Sequence, residues 1–92
     1  MRKTYKSALQ AVFQKRLCQD RQALGLTQEQ MARNLSMTVR TYSDLERGTA
    51  CCSAVSLMLY LLFVCTEPNR FLQELRQEIE GIRVVKTDME ED

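Results

Sequence analysis

The chain contains no histidine. It therefore lacks the side chain that most often serves as a general base or metal ligand near neutral pH. It also has no glycine-rich phosphate loop and no pair of carboxylates at a catalytic spacing, so an enzyme is not expected. Four cysteines are present, at positions 18, 51, 52 and 65. The adjacent Cys51-Cys52 is not a zinc spacing and no second ligand pair follows, so neither a metal nor a cofactor is expected. The cysteines read as reduced thiols, with Cys18 and Cys65 as small core residues. A redox role at Cys51-Cys52 is the lesser reading, because only Arg47 lends positive potential nearby.

Glycine and proline are scarce, three and one respectively. Few turn signals therefore punctuate the chain, which favours an all-α domain over a sheet. Long hydrophobic runs are missing too. The longest, "AVSLMLYLLFVC" at residues 54–65, has 12 residues, against the ~20 that a membrane span needs. No signal peptide is visible. The expectation is a soluble, cytoplasmic protein with no membrane partner, of prokaryotic, phage or mobile-element origin.

What is present fits one small domain. The 92 residues are 45% hydrophobic and 27% charged, an ordinary globular balance. The net charge of +1 hides an asymmetry. Residues 1–50 carry nine Lys/Arg against four Asp/Glu, a net of +5; residues 51–92 carry four against eight, a net of −4. An anionic partner belongs on the first half.

Five helices are expected. Residues 1–6 read as a basic arm. Leu9, Val12, Phe13, Leu17 and Leu24 share one face of a first helix over residues 7–24, stopped by Gly25. Thr27, with Gln30 three residues on, is a capping box for a second helix over 28–35, in which Met31, Ala32 and Leu35 face inward. Ser36 to Thr38 is the break. Thr38 caps a third helix that Gly48 ends, giving a motif over 28–47. A fourth helix covers 54–65. A fifth starts near Pro68, carries Phe71, Leu72, Leu75, Ile79 and Ile82, and closes a domain over 7–81. Residues 82–92 read as an acidic tail, with a short strand at 82–86 as an option.

Two short helices joined by a tight turn, the second polar on its outer side, describe a helix-turn-helix. Here "RQALGLTQEQMARNLSMTVRTYSDLERG" resembles the helix-turn-helix of the lambda repressor/Cro-like (XRE) family. The matching residues are Arg21, "GLTQ" at 25–28, Ala32, Leu35 and "LERG" at 45–48. The resemblance covers residues 12–65. Two positions depart from it: Ser36 stands where the family usually has glycine, and Tyr42 where it usually has Ile or Val. A serine in a left-handed turn costs stability. A buried Tyr42 needs room and a partner for its hydroxyl.

The resemblance implies double-stranded DNA as the partner and a sequence-specific transcriptional regulator, a repressor in the preferred reading. The third helix would enter the major groove. Thr38, Val39 and Arg40 would then face base edges, with Ser43 and Asp44 further along. Arg40 is the sharpest candidate, since an arginine–guanine pair discriminates by roughly 1–3 kcal/mol. Gln28 sits where its side chain and the free amides of the first turn can grip a phosphate. Thr27, Arg47 and Thr49 are further backbone candidates. Asp44 has two readings, acceptance from a cytosine amino group or an ion pair with Arg40 one turn back; the second is preferred. Solvated surface charge is the plain alternative for Arg40 and Arg47. Glu46 lies beside Tyr42 and Leu45, partly inward, so it needs a partner. The resemblance implies a structural ion pair between Glu46 and Arg21.

The fourth helix is apolar on both sides. Val55, Met58, Leu62 and Cys65 form one face, and Leu57, Leu61 and Val64 nearly the opposite one. Such a helix is expected to be buried all round. A second copy of the chain would cover what the first three helices leave over, through Leu57, Leu61, Val64, Phe71, Leu75 and Ile79. Such a homodimer suits a two-fold operator. The alternatives are that the first and fifth helices cover everything within one chain, or that a foreign protein does. In the latter case the chain is an interaction module or antitoxin-like partner that uses the fourth helix and the acidic C-terminal half.

Overall fold

Helix boundaries in this chain are set by local caps, and the caps fall where the sequence places them. The computed structural model describes residues 2–89. Its element order is α1 (Arg2–Leu24), α2 (Gln28–Asn34), α3 (Val39–Arg47), α4 (Ala54–Leu59), a π-helical segment (Tyr60–Val64) and α5 (Pro68–Met89). The fold is all-α, with no strand among the described residues.

Thr27 forms the capping box. Its hydroxyl oxygen accepts from the Gln30 amide at 3.1 Å, and its own amide donates to the Gln30 side chain at 2.9 Å. Thr38 caps α3 by accepting from the Thr41 amide at 3.1 Å. Ser36 takes the left-handed conformation in the turn, with φ 55°. Gly48 ends α3 at φ 80°, and a Cβ there would also meet the Gln14 side chain at 2.6 Å. The left-handed backbone angle is what favours glycine at position 48, since the Gln14 side chain is a flexible end that can shift.

α1 is longer than expected. Residues 2–6 are helical, so they are the first turn of α1 and not a separate arm. "RKTYK" holds no glycine or proline to break the helix, and its Lys and Arg are good helix formers. α5 also runs on. Residues 82–86 continue it as helix, so the strand is not formed. Gly81 has no positive φ and gives no stop, and helical propagation outweighs the β preference of Val84 and Val85. Of the acidic tail, residues 82–89 are helical; 90–92 lie outside the described residues.

The core gathers Val12, Phe13 and Leu17 of α1, Met31 and Ala32 of α2, Leu35 just after it, Tyr42 and Leu45 of α3, Tyr60 and Val64 of the π-helical segment, and Phe71 of α5. Phe13, Tyr60 and Phe71 meet edge to face, with centroids 5.0 to 6.4 Å apart, a favoured aromatic geometry. Leu24 lies outside this core and is exposed.

The fourth helical stretch differs most from expectation. It is α-helical only to Leu59; then the Cys65 amide reaches back five residues to the Tyr60 carbonyl at 2.7 Å. None of Ala54–Leu59 is fully buried. Val64 and Phe71, expected at a dimer interface, are core residues at 3% and 0% exposure. Leu57, Leu61 and Leu75 are half-buried and pack against the same core. Ile79 is half-buried as well. The face left open is the other one: Val55, Met58 and Leu62, with Phe63 and Leu72. With both faces apolar, periodicity alone does not tell which one the core takes.

A second buried cluster joins α1 to the start of α5. Arg16 and Asp20 are 3% and 1% exposed. Asp20 accepts from the Tyr60 hydroxyl and, at 2.7 Å, from the Thr66 hydroxyl. Arg16 stands 3.4 Å from both Asp20 and Glu67. Only the Arg16–Asp20 spacing of four is local; Tyr60 and Thr66 lie 40 and 46 residues from Asp20.

Candidate nucleic-acid interface

α3 is divided along its length. Tyr42, Leu45 and Glu46 are buried, whereas Thr38, Val39, Arg40, Thr41 and Arg47 are exposed. Ser43 and Asp44 sit half-buried between the two sides. The outer face is therefore polar apart from Val39 and is left exposed.

The inner side is pinned at Glu46. Its Oε2 accepts from Arg21 Nε at 2.7 Å and from the Tyr42 hydroxyl at 2.8 Å. Its Oε1 accepts from Arg21 Nη2 at 3.3 Å and from Gln28 Nε2 at 2.6 Å. Burial alone would raise the Glu46 pKa; the hydrogen bonds from Arg21, Gln28 and Tyr42 and the charge of Arg21 outweigh it and hold the pKa below the ordinary value. The pair expected between Arg21 and Glu46 is thus present. The same carboxylate supplies the hydroxyl partner that Tyr42 needs. Burial and then Glu46 push the Tyr42 phenol up, so it stays a donor.

Arg21 also donates to the Leu26 carbonyl at 3.3 Å, which fixes the chain between α1 and α2. Thr27 is occupied by its cap, hydroxyl and amide both. The Thr49 hydroxyl donates to the Asp44 carbonyl at 3.1 Å and closes the end of α3. The link from Gln28 to Glu46 had no signal in the sequence, since it joins positions 18 apart.

Asp44 pairs with Arg47 and not with Arg40. Both arginines are within reach on a helix, but an acid on the N-terminal side of its cation is the better orientation. Arg40 is left exposed, with no ion pair among the described residues. The Cys51-Cys52 pair follows α3 in the connection to α4, both thiols half-buried and free. Burial, then Cys51, push the Cys52 thiol up to about 11, away from the thiolate that a reactive cysteine needs.

Comparison with known sequences agrees with this geometry. The helix-turn-helix family model matches residues 19–58. Over these residues the chain is similar to that family, in line with the resemblance carried by Arg21, the 25–28 segment and the 45–48 segment. No curated protein and no solved structure matches the chain. The matched stretch of the helix-turn-helix begins in the last turn and a half of α1 and takes in Arg21, all of α2 and α3, the Ser36 turn and most of α4. No helix among the described residues is long and apolar enough to cross a membrane.

Proposed function

We propose that this protein is a sequence-specific transcriptional repressor, binding a two-fold operator as a homodimer with α3 in the major groove. The observation that carries the reading is the division of α3. Its inner side is consumed by the core and by Glu46, while Thr38, Val39 and Arg40 project at the end of the helix nearest the turn. In this motif the N-terminal residues of the second helix meet the bases. Arg40, free of any intramolecular ion pair among the described residues, reads guanine. Val39 meets a thymine methyl, and Ser43 and Asp44 lie along the groove. Gln28 grips a phosphate, with Thr27, Arg47 and Thr49 beside the backbone. Arg47 arrives with its charge partly balanced by Asp44, so Arg40 contributes more to sequence choice than Arg47 does to affinity.

One module makes few contacts, and two copies double them at a half-site spacing of ~34 Å. The exposed apolar face of α4 and the π-helical segment, with Leu62 at 66% and Phe63 at 71%, supports a second copy there. That same face is what would favour an interaction module that captures another protein. Selection of bound sequences from random duplexes, combined with sedimentation of the parent and of Leu62→Glu, separates the two. The repressor reading expects an enriched inverted repeat and a dimer that Leu62→Glu splits. A monomer that enriches no sequence overturns it.

A further inference from the structure

The Glu46 carboxylate is full. Arg21 Nε and the Tyr42 hydroxyl lie on one oxygen, at 2.7 and 2.8 Å; Arg21 Nη2 and Gln28 Nε2 lie on the other, at 3.3 and 2.6 Å. Two of these partners have obvious reasons to be there. Arg21 balances the charge, and Tyr42 is a fully buried phenol that needs an acceptor. Gln28 has neither reason. It is neutral, half-buried and placed at the first residue of α2, where it could have turned to water. Its bond to Glu46 nevertheless ranks among the shortest that the carboxylate accepts.

An ionised carboxylate only accepts hydrogen bonds. The amide nitrogen of Gln28, and not its oxygen, therefore faces Glu46. One N–H is used there and the second remains. A glutamine on an open helix surface samples many rotamers and turns its amide end for end. Gln28 is held in one orientation before any ligand arrives.

Resting on the DNA-binding reading above, we infer that Glu46 is a positioning residue for DNA: it holds the Gln28 amide with one N–H on the protein and the other directed to a phosphate oxygen. Phosphate oxygens also only accept, so a flipped amide would present them with the wrong group. Ordering a glutamine at the moment of binding costs rotamer freedom, and here that freedom is already given up in the free protein. The donor sits on α2 and the acceptor on α3. The backbone contact is thereby placed in fixed relation to the helix that enters the groove.

The test is a binding cycle on the whole protein with Gln28→Ala, Glu46→Met and the double variant. Each is titrated with the selected duplex and a scrambled one, at a temperature where circular dichroism shows every variant folded. Each single variant should bind both duplexes about two- to tenfold more weakly, the worth of one hydrogen bond. The double variant should be no weaker than the weaker single one. A purely structural Glu46 lowers the melting temperature without producing that non-additivity. Losses that multiply in the double variant, or Glu46→Met binding like the parent, overturn the positioning role. If Glu46→Met does not fold, nitrogen-15 NMR of the Gln28 side chain in the unaltered protein decides. Its two amide protons should be well separated in the free protein, and added duplex should move one of them. Averaged protons in the free protein, or both or neither moving with DNA, overturn it. A parent protein that binds neither duplex at low salt, with the Gln28 amide still held, overturns the DNA reading itself and the positioning role with it.

Discussion

Asp44 and Arg47 close an ion pair three residues apart on α3, and Arg40, four residues before Asp44, is left outside it. The two arginines are therefore not equivalent. Arg40→Ala should relax sequence preference at one position of each half-site, by roughly 1–3 kcal/mol of discrimination. Arg47→Ala should weaken binding to all sequences evenly and lower the salt slope by about 1. Titrations of both variants against cognate and scrambled duplexes at several salt concentrations check this. Identical profiles for the two would contradict the assignment.

Glu46→Ala should destabilise the domain. Breaking a buried pair costs about 3–5 kcal/mol, and the quarter of the Arg21 side chain that reaches solvent trims that figure. Tyr42 and Gln28 lose their acceptor at the same time. Replacing Arg21 and Glu46 together by methionine should recover much of the loss. Denaturant melts of the single and double variants measure it, and a Glu46→Ala midpoint equal to the parent's would sink it.

Acid should act through the same group. The Glu46 pKa is held below its ordinary value of 4.5 in the folded chain. Its contribution to stability is therefore complete above that value and is lost as pH falls through the depressed folded pKa. Between pH 7 and 3, the parent should lose more stability than Glu46→Gln, with the difference opening only below about pH 4.5. A difference already changing between pH 7 and 6 would point to another group.

Tyr60→Phe keeps the aromatic contacts with Phe13 and Phe71 but removes the donor to buried Asp20. A hydrogen bond to a charged group is worth about 1.5–3 kcal/mol. The melting temperature should fall accordingly, and DNA affinity at low temperature should not change. Calorimetry reads the first and titration the second; an unchanged melting temperature would show that the bond adds nothing net.

The helix-turn-helix was legible in the chain because its signals are local. Thr27 with Gln30, Thr38 and Gly48 each act within a few residues, so α2 and α3 begin and end within a residue of where they were expected. Arg21 and Glu46 could be paired only through family resemblance, since 25 residues separate them. The Asp20 cluster reaches from Arg16 to Glu67, 51 residues apart, and no local pattern marks an arginine that will be buried. The π-helical segment is a change of hydrogen-bond register, which composition does not encode. Which side of the fourth helix the core takes was not legible, because leucines and valines line both sides and only the packed core decides between them.

The division of α3 has a consequence for how such a protein can change. Its fixed points, Tyr42, Leu45, Glu46 and Gly48, all answer to the inside of the molecule. Val39 and Arg40 are exposed, Ser43 is half-buried beside them, and Thr38 serves the fold only as the cap. If the proposed role of α3 holds, Val39, Arg40 and Ser43 can be replaced one at a time with little change in stability, whereas Thr38 also carries the cap. Surface positions of this kind usually shift stability by no more than about 0.5 kcal/mol when replaced. On the proposed reading, the fold thus largely separates the residues that keep it folded from those that would choose its target, so that recognition could change in small, independent steps.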